Sequence, residues 1–244
     1  MIIFVKVRND EGQIYQSYDI IWKLIDWNFK SCELDEVEPM SNEIYIFVTD
    51  NGNVKACCER PHSAKYIHWN IEVPIDGSNG CRDHFDETWF SCQYYFNLSK
   101  GKKKFIVLGG DKRLVSEPQA KEWDFCHLAY VYGKRAEQVA QLEAQGFTMA
   151  PVGFDDIRDK SIAKSRWGLC LHQHNVPTLS PQRMTLFACR KLPIVIEECD
   201  PYPYKVIKLQ DFRPLEYKEL AEENFRLFTE KYNFKKEVEE ICKS

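Results

Sequence analysis

Residues 171–184, LHQHNVPTLSPQRM, gather side chains that can bind, donate and accept. The apolar run Trp167–Leu171 ends in His172, Gln173, His174 and Asn175, and a short loop leads to Ser180 and Pro181. Serine is a favoured N-cap and proline fits the first helical position, so a helix begins at 181 with Arg183 in its first turn. Helix N-termini carry partial positive charge, and a cation there costs a few tenths of a kcal/mol to about 1 kcal/mol when nothing is bound. The run FCHLAYVYGKR (125–135) repeats the pattern, with Gly133 before a helix opened by Lys134 and Arg135. An anionic ligand reverses the sign, because free amides, the helix dipole and a guanidinium then converge on the same oxygens. A phosphate or diphosphate between the two helix starts gives these cations a purpose. The alternative for Lys134 and Arg135 is a pair of solvated surface charges.

Other residues carry weaker signals. His172, Gln173 and His174 at a strand end can hydrogen-bond a ligand, shuttle a proton or satisfy local backbone groups; no third metal ligand lies near them in the sequence. HWNIEVP (68–74) ends another strand, where Glu72 is a candidate carboxylate and Trp69 either a stacking surface or core. Glu197 and Glu198 close the run LPIVIEE (192–198), where a ligand's hydroxyls could be read. Asp155 and Asp156 read as helix capping. Cys81, His84 and Cys92 match no common zinc spacing.

The elements that must position these residues alternate between strand and helix. IIFVKV (2–7), EIYIFV (43–48), KYIHWNIE (65–72) and ETWFSCQ (87–93) read as strands, with an amphipathic helix over 15–29. NLSKGKKK (97–104) reads as a basic linker. After it come strands over 105–110, 125–133, 147–153, 167–172, 192–198 and 204–209, with helices between them and a long charged helix from Leu215 to about Cys242. This alternation predicts an α/β protein with two doubly wound, Rossmann-like lobes: 1–100, 101–213, and a C-terminal helix over 214–244 that packs back towards the first lobe. In such folds ligands sit where strand carboxyl ends meet helix N-termini.

Composition narrows the class. At 44% hydrophobic residues and a net charge of −4, the chain is neither disordered nor basic enough for a protein held to DNA through phosphates. No apolar run reaches the roughly 18–20 residues of a membrane span. Ten cysteines without a C-x-x-C pair, several inside apolar runs, read as reduced thiols in a cytoplasmic protein. No G-x-G-x-x-G follows the first strand, which argues against a dinucleotide enzyme.

The ordered series CHLAYVYGKR, GFTMAPVGFDDIRDKSIAKSRWGLCLHQHN, SPQRMTLFACRKLPIVIEE and DPYPY resembles the nucleotide-sugar-binding half of GT-B glycosyltransferases. The resemblance is to a short, CgeB-like branch of the group-1 type, common in bacterial and phage genomes. KYIHWNIEVP and DETWFSCQYYF resemble its compact first lobe.

The resemblance implies a GT-B fold, a nucleotide-diphosphate sugar as donor substrate, and neither metal nor cofactor. It places Gly133, Lys134, Arg135, Ser180 and Arg183 at the donor diphosphate, His172, Gln173 and His174 beside the sugar, and Glu197 near the ribose. Glu72 or His172 is the candidate base in an inverting reaction; in a retaining one the departing phosphate takes the proton. The acceptor class (glycan, protein or modified nucleic acid base), the oligomeric state and the host compartment if phage-encoded stay open. The helix after Ser180 departs from the related enzymes in lacking their Glu-x7-Glu arrangement, and Lys191 replaces the usual glycine before Leu-Pro. A nucleotide- or phosphosugar-binding module without turnover is the alternative function, and a sugar-phosphate epimerase a third.

Arg183→Ala is expected to weaken nucleoside diphosphate binding far more than nucleoside binding, because the lost cation meets only the phosphates. Calorimetric titration with both ligands checks this, and equal losses would contradict it.

Overall fold

The computed structural model describes residues 1–7, 19–38, 41–49, 64–71, 85–117, 119–172, 180–198 and 203–243. The chain divides into two units, Met1–Val107 together with Phe234–Ser244, and Leu108–Asn233. Each is an α/β unit built on a parallel sheet.

Unit 1 contains β1 (Ile2–Lys6), α1 (Asp19–Asn28), β2 (Lys30–Glu33), β3 (Ile44–Thr49), β4 (Lys65–Asn70), β5 (Glu87–Phe90), α2 (Gln93–Leu98) and β6 (Lys103–Phe105). The strands lie in the order β2-β1-β3-β4-β5-β6, every pair parallel. Parallel strands are covered on both faces, so they need apolar residues at successive positions. Phe4 and Val5 are fully buried, as are Ile46 and Phe47. One face packs Ile3, Val5, Tyr45, Phe47, Tyr66 and Phe85 together. The other sets Phe4 and Trp69 against Phe234 of α7 (Phe234–Lys243). Residues 97–104, expected as a linker, form the end of α2 and the start of β6 instead. Lys103 explains this: its ammonium donates to the Phe96 and Ser99 carbonyls at 2.5 and 2.7 Å, satisfying the negative end of α2.

Unit 2 contains β7 (Trp123–His127), α3 (Lys134–Ala144), α4 (Asp155–Lys164), β8 (Ser165–Cys170), α5 (Pro181–Cys189), β9 (Ile194–Ile196), β10 (Ile207–Lys208) and α6 (Lys218–Arg226). Its sheet runs β10-β9-β8-β7, all parallel, and Met149 makes a single parallel bridge to Phe125 on the far side of β7. The chain therefore leaves β7 to one side and returns on the other as β8. That is a topological switch point, and β1 with β2 and β3 makes the corresponding one in unit 1.

Phe125, Trp167, Leu169, Val195 and Phe212 fill one face of the unit 2 sheet. On the other lies α5, in which every residue except Arg183 is buried. Gly168 permits this approach, since a Cβ there would stand 2.5 Å from the Phe187 ring. Strand β7 ends at His127, short of the expected Gly133, because its pairing with β8 ends at His127 and Leu169. The expected long C-terminal helix is α6, a π turn over Leu227–Lys231, and α7. Tyr232 breaks it, held in extended conformation by its hydroxyl on the Pro203 carbonyl at 3.0 Å and its ring against Tyr204.

Among the described residues six cysteines are free thiols, and no helix is long and apolar enough to cross a membrane.

Gly168→Ala is expected to cost about 1–3 kcal/mol, the usual range for overpacking a tight contact. Urea unfolding measures it, and an unchanged midpoint would show that α5 does not press on β8 as described.

Candidate functional site

The carboxyl ends of β7 and β8, with the first turns of α3 and α5, form the candidate site at the unit 2 switch point. Gly133 introduces α3 with φ 55° and ψ −134°, a conformation that disfavours any side chain, and its carbonyl accepts from the Ala136 amide at 2.9 Å. Ser180 precedes α5 in extended conformation without its hydroxyl capping the helix, and Pro181 takes the first position. Neither a capping side chain nor an acidic residue offsets the positive end of α5.

Arg135 is buried, its guanidinium donating to the Leu171 carbonyl at 3.2 Å and the Tyr130 carbonyl at 3.3 Å. Burial first, and the field of Arg183 next, pull its pKa down to about 10, so it stays charged at neutral pH. Arg183 thus shares a neighbourhood with Arg135, and with His127, whose ring both guanidinium groups help to keep unprotonated. Cys170 belongs to the same group: burial pushes its thiol up to about 12 against the opposing pull of the two arginines. The charges of Arg183 and Arg135 thus act on each other and on His127 and Cys170. Among the described residues no hydrogen bond or ion pair engages Arg183.

Lys134 is differently disposed. Its ammonium lies 3.0 Å from Glu197 Oε1, which also accepts from the Gln138 amide nitrogen at 2.6 Å. Glu197 Oε2 accepts from the His172 backbone amide at 2.5 Å. One carboxylate thus joins the exits of β8 and β9 to the first two turns of α3. Burial works to raise the Glu197 carboxyl, but the His172 amide, Gln138 and Lys134 together outweigh it and hold the group below its ordinary value. The Glu197 carboxylate therefore offsets the charge of Lys134.

The remaining expected residues divide clearly. His172 is buried with Nε2 2.8 Å from the Glu198 carbonyl oxygen, tied to the exit of β9. Trp69 lies in unit 1, fully buried, its indole nitrogen donating to Ser91 at 3.0 Å and its face stacked on Phe234. That environment makes it a core residue and leaves no face for a sugar. Glu72, Gln173 and His174 lie outside the described residues, as do Cys81 and His84 of the zinc reading. Among the described residues no three His, Cys, Asp or Glu side chains come together to hold a metal.

Sequence reading overlooked His127 and Gln138. His127 sits inside an apolar run that reads as uninterrupted strand, and only the end of pairing with β8 marks it as a strand terminus. Gln138 was findable, since it follows Lys134 by four residues and so shares its helix face.

Taken together, the described residues form two parallel α/β units of Rossmann-like topology, with cations near the switch point of the second. No protein-family model and no curated protein sequence matches the chain. Among solved structures it is similar to AviGT4, a glycosyltransferase involved in Avilamycin A biosynthesis. The TM-score is 0.59 at 11% sequence identity, covering 99% of this chain and 96% of that one.

A carboxyl held below its ordinary 4.5 contributes stability above the unfolded value, and that contribution disappears as pH falls through the folded one. Glu197→Gln is therefore expected to lower Tm at pH 7 and to converge with the parent as pH falls below the ordinary carboxylate value. Thermal scans across that interval check it; a constant gap at all pH values would show that charge is not what the clamp uses.

Proposed function

We propose that the chain is a glycosyltransferase that moves a sugar from a nucleotide-diphosphate donor, held in unit 2, to an acceptor. The supporting observation is α5, buried along its whole length except for one arginine at its positive end, with a second arginine in the same neighbourhood. As the donor's glycosidic C–O bond breaks, charge builds on the diphosphate. Donors already aimed at that charge supply several kcal/mol in enzymes of this kind, about 3–4 kcal/mol for a single well-placed group. Arg183, Arg135 and the two helix starts are such donors, and they do this work without a metal. His172 and Glu72 are the candidate bases for the acceptor hydroxyl in an inverting reaction. In a retaining one the leaving phosphate takes that proton. A glycan, a protein or a modified nucleic acid base fits as acceptor. The motif series supports a CgeB-like, group-1 affiliation of bacterial or phage origin, and the free thiols support a cytoplasmic setting.

One observation favours a second reading, a nucleotide- or phosphosugar-binding module without turnover. The Glu197 carboxylate, assigned by the resemblance to the ribose, already holds Lys134, Gln138 and the His172 amide.

Incubation with a panel of nucleotide sugars and candidate acceptors separates the two. Release of free nucleoside diphosphate is expected, and Arg183→Ala is expected to slow it by roughly 100-fold or more, the scale for losing one preorganised donor. Tight binding of nucleotide sugars with no release for any donor–acceptor pair would sink the enzyme and leave the module.

A further inference from the structure

His127 closes β7 at the carboxyl edge of the unit 2 sheet and is 1% exposed. Its Nδ1 lies 2.9 Å from the Leu169 carbonyl oxygen on β8. A carbonyl only accepts, so Nδ1 carries the proton, and Nε2 of the neutral ring presents a bare lone pair. The ring is neutral at physiological pH, since burial, followed by the field of Arg183, holds its pKa down at about 3. Nε2 itself is buried and has no hydrogen-bond partner among the described residues. Buried acceptors are nearly always satisfied, so such an atom calls for a donor.

Gln138 repeats the pattern. Its amide nitrogen donates to Glu197, which fixes the orientation, because the reversed amide would set oxygen against carboxylate. Its Oε1 is then a second buried acceptor without a partner among the described residues. Both atoms belong to the neighbourhood of Glu197, which also acts on the His127 ring. The site thus combines cationic donors with neutral acceptors. An ionised phosphate meets the donors alone, since its oxygens have no proton to give. A hydroxyl-bearing group attached to that phosphate meets both.

We propose that His127 is a ligand-reading residue of unit 2: its Nε2 accepts from a hydroxyl of the sugar esterified to the phosphate that Arg183 holds, with Gln138 Oε1 as a second acceptor. The inference rests on the donor-site reading above and deepens it, because it makes the site selective for a glycosyl ester over the bare nucleoside diphosphate. Nε2 lies beneath the surface. The test therefore reads contact at that atom as well as affinity.

His127→Asn keeps an amide donor in reach of the Leu169 carbonyl and removes the far side of the ring. His127→Gln restores an amide near the Nε2 position. The full chain and both variants are titrated calorimetrically with the diphosphates of uridine, guanosine, adenosine, cytidine and thymidine, and with their glucosyl and galactosyl esters. For the nucleotide bound most tightly, His127→Asn is expected to lose roughly tenfold in ester affinity and under about twofold in diphosphate affinity, the scale of one buried hydrogen bond. His127→Gln is expected to recover part of the loss. In the parent, the His127 Nε2 nitrogen resonance is expected to shift on adding the ester and not the diphosphate. A resonance unmoved by every ester, or equal losses for ester and diphosphate, overturns this proposal alone. Failure of every nucleoside diphosphate to bind overturns the donor reading and this proposal with it.

Discussion

Two guanidinium groups kept in one neighbourhood are the constraint around which unit 2 is arranged. Like charges repel, and more strongly beside the low-dielectric interior of a protein than in bulk water, so each arginine disfavours the charge of the other. Arg135 is the buried member, and the Leu171 and Tyr130 carbonyls take up two of its donors. Those carbonyls belong to the exits of β8 and β7, so the chain wraps its strand ends around one charge while leaving the other, Arg183, at the mouth of α5.

Glu197 supplies the compensation. Three donors from two segments, Lys134 and Gln138 of α3 and the His172 amide beyond β8, meet on its carboxylate, and the last is a main-chain amide that cannot be replaced by altering a side chain. The geometry of α3 relative to β8 and β9 is therefore set by charge and hydrogen bonding at the rim, whereas the same elements are set by aromatic packing around Phe125 and Trp167 deeper in the sheet. Rim and core thus constrain the positive end of α3 independently.

Much of this was legible in the sequence because it is local. Ser180, Pro181 and Arg183 announce the start of α5, and Gly133 with Lys134 announces α3, since caps and dipoles act within one turn. The apolar runs of β1, β3 and β8 announce parallel strands covered on both sides. What was hidden depends on distant partners. The strand through residues 125–133 stops at His127 because its neighbour runs out of pairing, which no property of residues 128–133 reveals. The closing helix breaks at Tyr232 because a proline carbonyl and a tyrosine ring from residues 203–204 hold it. Residues 97–104 looked like a linker because four lysines suggest solvent; Lys103 instead turns its charge onto carbonyls of the preceding helix. Trp69 was ambiguous for a plain reason, that an aromatic at a strand end serves a core as readily as a ligand.

The burial of α5 also bears on how such a chain can diversify. Eight of its nine residues are buried, and the Phe187 ring packs closely over Gly168. Any change in the surface this helix presents must therefore pass through position 183, while drift elsewhere along it is filtered by packing.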